Sequence, residues 1–192
     1  MNLQKVKLQL ESALSGIKLK QVRDSLLVEN TEELADLAAY LKEELGFNFL
    51  SSVTAADYLQ FLEVVYHFYS LEKREGPLVL RVRVSREHPK VPSLTPIFRG
   101  AEFQEREAYD LFGVIFENHP DLRRIFMWEG FAGFPLRKDY QQEDSETLEM
   151  EDVEWLEKNS IRVPDAMRKK AEELKQQGKR AIAERRTASE GP

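Results

Sequence analysis

Two carboxylates, Glu105 and Glu107, stand inside the most charged and aromatic stretch of the chain, Glu102 to Tyr140. Paired carboxylates are what general acid–base chemistry asks for. Two positions apart on a helix, however, their side chains diverge by about 160°, so one site is hard to build from both. The expectation is that they serve as ion-pair anchors. Other chemistries lack their residues. His67, His88 and His119 stand apart from one another, with no H-x-x-x-H spacing for zinc. The chain has no Cys, which removes disulfides, thiolate nucleophiles and Cys-ligated iron–sulfur clusters together. Gly130 and Gly133 follow Trp128 and not a nucleotide-binding strand, and no P-loop or G-x-G-x-x-G is present. These residues predict a domain with no autonomous active site.

The elements that must hold these charges are legible around them. The spacing predicts a helix over Ala101 to Phe112, with Phe103, Ala108, Leu111 and Phe112 on an apolar arc and Glu102, Arg106 and Asp110 on a stripe where opposite charges can pair. Glu107, four residues from both Phe103 and Leu111, falls on the apolar side, with Glu105 at its edge. A carboxylate there is costly without a cation or several donors. Arg123, Arg124, Arg137 and Lys138 are the nearest candidates, so Glu105 and Glu107 are expected to pair with them and fasten helix to loop. After Gly113, Val114 to Phe116 reads as a strand, Asn118-His119-Pro120-Asp121 as a turn, and Leu122 to Phe126 as a second apolar run. Trp128, Phe131 and Phe134 suit either a core or an interface anchor.

Upstream, Leu3, Val6, Leu10 and Leu14 predict an amphipathic helix over residues 3–15, and Val22–Val28 a short strand. Asn30 caps a second helix, with Leu34, Leu37, Ala38, Leu41 and Leu45 on its stripe. Phe47 to Val53 and Phe61 to Ser70 read as strands. Leu78 to Val84 completes an antiparallel hairpin, with Leu62, Val64, Tyr66 and Phe68 on one face and Glu63, Val65, His67 and Tyr69 on the other. Arg81 and Arg83 read as solvated, His88 to Ser93 as a loop, and Thr95-Pro96 as a helix start. The fold class is α+β: helices on a small, mostly antiparallel sheet, plus a charged C-terminal extension.

The domain is expected at residues 1–140 and the extension at 141–192. From Gln141 to Glu154 there are seven acids and no bases; from Asp165 to Arg186 eight bases stand against four acids. This extension reads as helical or mobile, docking on partner subunits. The net charge of −6 disfavours general nucleic-acid binding. No apolar run approaches the ~20 residues that span a bilayer. The N-terminus lacks a signal-peptide core, so a soluble, cytoplasmic chain is expected.

The run EREAYDLFGVIFENHPDLRRI, followed by GFPLRKDY and preceded by GFNFLSSVTAADYL, resembles the C subunit of proton-pumping NADH:quinone oxidoreductase, respiratory complex I. The similarity covers about Asn30 to Tyr140. One departure is Phe134, where many relatives carry His before the Pro. The resemblance implies a non-redox structural subunit of the peripheral arm, held on the cytoplasmic side of the inner (plasma) membrane. It implies packing against the D subunit, which lines the quinone pocket, and near the B subunit, which holds the terminal cluster. Membrane contact would come only through the complex. FMN, iron–sulfur clusters and quinone would lie in other subunits. Glu105, Arg106, Glu107, Asp110, His119, Pro120, Arg123, Arg124, Pro135, Arg137, Lys138, Asp139 and Tyr140 become interface or scaffold residues, none of them catalytic. Related hydrogenase-type or ferredoxin-dependent complexes use similar subunits, and a free-standing adaptor is the reading of another class.

Overall fold

Strand β4 (Leu62–Ser70) is buried along nearly its whole length and forms the spine of a five-stranded sheet. Its alternating Leu62, Val64, Tyr66 and Phe68 face the main core, together with Leu78, Leu80, Val82 and Val84 of β5 (Glu75–Val84). The two strands pair antiparallel, with Tyr66 opposite Leu80. On the other side of β4 lies β3 (Phe49–Asp57), also antiparallel. A period of two is what lets one face of each strand fill the core while the other stays polar.

The computed structural model describes residues 2–128, 130–140 and 150–159, together with 162, 163, 165, 168, 169, 171–173, 175 and 176. It divides into two compact units, Met1–Tyr140 and Gln141–Pro192. In the first, the stretch expected as one strand, Val22–Val28, holds the turn and second strand of a tight hairpin: β1 (Leu19–Val22) and β2 (Ser25–Val28), turning at Arg23 with positive φ. β2 then joins β5 in parallel, giving the sheet order β1-β2-β5-β4-β3. Three of its four pairings are antiparallel, so the sheet is mixed and mostly antiparallel.

Helix α1 (Leu3–Ala13) buries Val6 and Leu10, and α2 (Leu34–Glu43) buries Leu34, Leu37, Ala38 and Leu41 into the same cluster. α2 is preceded by a 3-10 turn over Thr31–Glu33, capped by Asn30, whose Oδ1 accepts from the Glu32 N–H. The segment read as a loop contains β6 (Lys90–Pro92), which pairs in parallel with β7 (Ile115–Glu117). Thr95-Pro96 opens no helix. A turn there leads to α3 (Ala101–Phe112), which starts after Gly100. α3 packs on β3, and the side chain of Gln104 accepts the Val53 N–H at 2.7 Å, closing part of that sheet edge.

In the second unit, α4 (Met150–Lys158) buries Val153 in a small cluster with Val163 and Ala171. Described residues between 165 and 176 are helical, with Arg168 paired to Glu157 and Lys175 to Glu154. The acidic run up to residue 149 and the basic run beyond residue 176 lie outside the described residues.

Candidate functional site

Helix α3 turns a different side inward from the one its apolar spacing predicts. Its buried residues are Ala101, Glu105, Arg106, Ala108 and Asp110, while Phe103 is 63% exposed and Glu107 faces solvent. Small Ala101 and Ala108 let the helix sit close to β3. The polar residues between them are then enclosed and must find partners. The expected pairing of Glu105 and Glu107 with the downstream bases is therefore corrected at both positions.

Glu105 is fully buried, and its carboxylate is held by the 93–95 segment. Oε1 accepts the Leu94 N–H at 2.7 Å and Oε2 the Ser93 hydroxyl at 2.6 Å. Burial pushes its pKa up to about 7, only partly offset by those two hydrogen bonds. His119 Nε2 lies 3.9 Å from the same carboxylate. The Asp121 N–H donates to His119 Nδ1, so Nε2 carries the hydrogen and donates to the Glu102 carbonyl at 3.1 Å. His119 is thus the turn residue expected, with a second bond back to α3; Pro120 beside it is exposed.

Asp110 is the true fastener of helix to loop. Its Oδ2 accepts three consecutive backbone N–H groups, from Ile125 at 3.0 Å, Phe126 at 2.6 Å and Met127 at 3.0 Å. Its Oδ1 faces Arg124 Nη1 at 3.5 Å. Arg124 also donates to the Gly133 carbonyl and lies over the rings of Phe131 and Phe134. Arg106 pairs with neither Glu102 nor Asp110: its Nε donates to the Arg123 carbonyl and its guanidinium covers Phe103. Arg123 itself is exposed beside Asp121.

A second buried acid, Asp57 at the end of β3, pins the following loop. It accepts the Lys138 N–H at 2.9 Å and the Leu59 N–H at 2.7 Å, and is paired with Arg86. Burial alone would raise its pKa, but the Lys138 and Leu59 amides and Arg86 outweigh it and hold the carboxyl below its usual value. Arg86 reaches on to Asp139 at 2.6 Å. Arg137 donates to the Phe112 carbonyl at 2.7 Å and Leu136 N–H to the Leu111 carbonyl, so the loop caps the C-terminus of α3. A cation at that end also opposes the helix dipole. Gly113 takes φ +76° at this cap, and a Cβ there would meet the Phe134 ring at 2.5 Å. Pro135 is half-buried, and Tyr140 stacks on Phe131. The Lys138 ammonium stands over Tyr58 and, among the described residues, forms no ion pair with an acid.

Sequence reasoning missed Asp57, Arg86 and the Glu63 cluster. Glu63, 2% exposed, is gripped by Arg81 at 2.7 Å and Arg83 at 3.0 Å, so those arginines are not merely solvated. The signal was available, because Glu63 and both arginines fall on one face of a hairpin. What the pins hold outward is apolar: Phe126, Trp128 and Leu136 are each more than half exposed on the fixed loops. This arrangement can bind a protein surface. Among the described residues, no group of three or more His, Cys, Asp or Glu could hold a metal, and no helix is long and apolar enough to cross a membrane.

Residues 27–146 match the family model described as respiratory-chain NADH dehydrogenase, 30 Kd subunit. The chain is 48% identical over 119 residues to the NADH-quinone oxidoreductase C subunit of Moorella thermoacetica, covering 60% of this chain and 78% of that one. It is 41% identical over 112 residues to the NADH-quinone oxidoreductase C/D subunit of Phocaeicola vulgatus, covering 58% of this chain and 22% of that protein. In structure it is similar to a chain of the membrane-bound sulfane sulfur reductase, an archaeal respiratory membrane complex. The TM-score is 0.59 at 21% identity, over 84% of this chain and 95% of that one, which is a likeness of fold. With the matched segment taking in β3, β4, β5, α3 and both pinned loops, the chain belongs to the family of the 30 kDa subunit of respiratory-chain NADH dehydrogenase.

Proposed function

We propose that the chain is a non-redox structural subunit of the peripheral arm of a proton-pumping NADH:quinone oxidoreductase, and that the pinned loops over residues 122–140 pack against the D subunit, at the quinone pocket. The observation that carries this reading is the outward display of Phe126, Trp128 and Leu136 on loops fixed by Asp110 and Asp57. Aromatic side chains on a rigid backbone are what a protein interface uses as anchors, since little ordering entropy remains to be lost on binding. The C/D relative supports the choice of partner, because its name joins the two subunits in one polypeptide. In this reading FMN, the iron–sulfur clusters and quinone belong to other subunits, and membrane contact comes through the complex.

The test is extraction of the native complex in mild detergent with an affinity tag on this chain. Flavin, iron–sulfur subunits and NADH:quinone activity should copurify, and cross-linking from Lys138 should capture the D subunit. Phe126→Asp with Trp128→Asp should leave the isolated chain folded by circular dichroism and lower its incorporation at least about tenfold, the loss expected from two anchors worth over 1 kcal/mol each. Incorporation at the native level would refute the assignment of this face.

A further inference from the structure

We infer that Glu105 is a proton-binding site of the folded domain, loaded from solvent along a two-hydroxyl relay through Thr95 and Ser93. The cluster is closed. Glu105 and Ser93 are buried, and half-exposed Thr95 is the member nearest water. The links are short: Thr95 Oγ1 to Ser93 Oγ at 2.7 Å, and Ser93 Oγ to Glu105 Oε2 at 2.6 Å.

Both protonation states satisfy every hydrogen bond in the chain of hydroxyls. With Glu105 ionised, Thr95 donates to Ser93 and Ser93 donates to the carboxylate. With Glu105 neutral, its O–H donates to Ser93, Ser93 donates to Thr95, and both hydroxyls have turned round. One proton arriving at Thr95 Oγ1 displaces that hydroxyl's own proton to Ser93 Oγ, which passes its own to Glu105. Each hydroxyl gains one proton and gives one up, and the carboxylate gains the net proton. The Leu94 N–H stays on Oε1 and the Thr95 N–H on Ser93 Oγ throughout.

The groups facing Glu105 leave the ionised form without a full counter-charge. From the turn after β7 comes His119, 3.9 Å away and committed to the Glu102 carbonyl. From β4 comes Tyr66, whose buried hydroxyl has no hydrogen-bond partner and is itself pushed well up, by burial and then by Glu105. Among the described residues no Lys or Arg lies within salt-bridge distance of Glu105. A carboxyl pKa raised to about 7 agrees with this geometry.

The test is carbon-detected NMR of the full chain carrying 13C-labelled Glu side-chain carboxyls. One carboxyl resonance is expected to titrate near pH 7 and to vanish in Glu105→Gln. Thr95→Val should keep that midpoint but slow proton exchange at the site at least about tenfold, because the relay has lost its outer hydroxyl. If every Glu carboxyl titrates below about pH 5.5, within a unit or so of the ordinary value, the proton site is refuted. An unchanged exchange rate in Thr95→Val refutes the relay.

Discussion

Replacing Asp110 by Ala removes one carboxylate and leaves four donors without it. The Ile125, Phe126 and Met127 amides lose their shared acceptor at 2.6 to 3.0 Å, and Arg124 loses its facing charge at 3.5 Å. A hydrogen bond to a charged group is worth about 1.5–3 kcal/mol. Ile125 and Phe126 are partly open, so water replaces some of what is lost. The expected cost is about 3–5 kcal/mol, at or somewhat below the low end of three such bonds added together. It should fall on the loop before the sheet, since Leu122 is the only residue of 122–128 packed against the main core. Local opening by about 3 kcal/mol accelerates exchange roughly 100-fold. Hydrogen exchange should show this for amides 125–127 while β4 amides change far less. Asp110→Asn, which keeps an oxygen but no charge, should fall between. Rates at 125–127 within about threefold of the native chain, under ~1 kcal/mol, would refute the carboxylate as the pin.

Three further outcomes are expected. Gly113→Ala places a Cβ at positive φ and against the Phe134 ring; it should cost about 2–3 kcal/mol in urea unfolding, the backbone term alone being ~1–2. Asp57→Asn should cost about 3 kcal/mol at neutral pH by leaving Arg86 short of its buried partner. The native Asp57 carboxyl is held low, so its contribution is present above the ordinary value of 3.8 and lost as pH falls through the lower folded value; urea midpoints of native and variant should converge in acid. Glu105 has the opposite sign. Its raised carboxyl contributes stability fully present below 4.5 and lost as pH rises through about 7. Glu105→Gln should therefore exceed the native stability by up to about 3 kcal/mol above pH 8, with the gap closing in acid.

The hairpin, α3 and the class of the fold were legible because each rests on a local signal: alternation in β4 and β5, and Gly113 where α3 must stop. The rotation of α3 was not. Apolar spacing favoured Phe103 and Leu111 as the inner arc, whereas close approach to β3 selected Ala101 and Ala108 and carried the acids inward. Asp57 was illegible for a different reason. One of its partners is a backbone N–H 81 residues away, and no rule that matches acids to basic side chains can find an amide; its basic partner, Arg86, is 29 residues away and outside the charged stretch. Lys138 draws notice for its ammonium, yet its peptide nitrogen makes the buried bond. The Glu63 cluster is the case where more could have been read, since register sets Glu63 directly opposite Arg83. β6 is too short to alternate, and its pairing with β7 depends on contacts the local pattern does not carry.

Three amide hydrogens converging on one point form the kind of concavity that elsewhere captures phosphate. In this chain the concavity is already occupied by Asp110, a tenant tethered to the same polypeptide. A free anion would compete against a group whose effective concentration is set by covalent connection, and would lose. The loop is therefore closed to anionic ligands on its inner side, and any recognition it performs must read the aromatic side chains on its outer one.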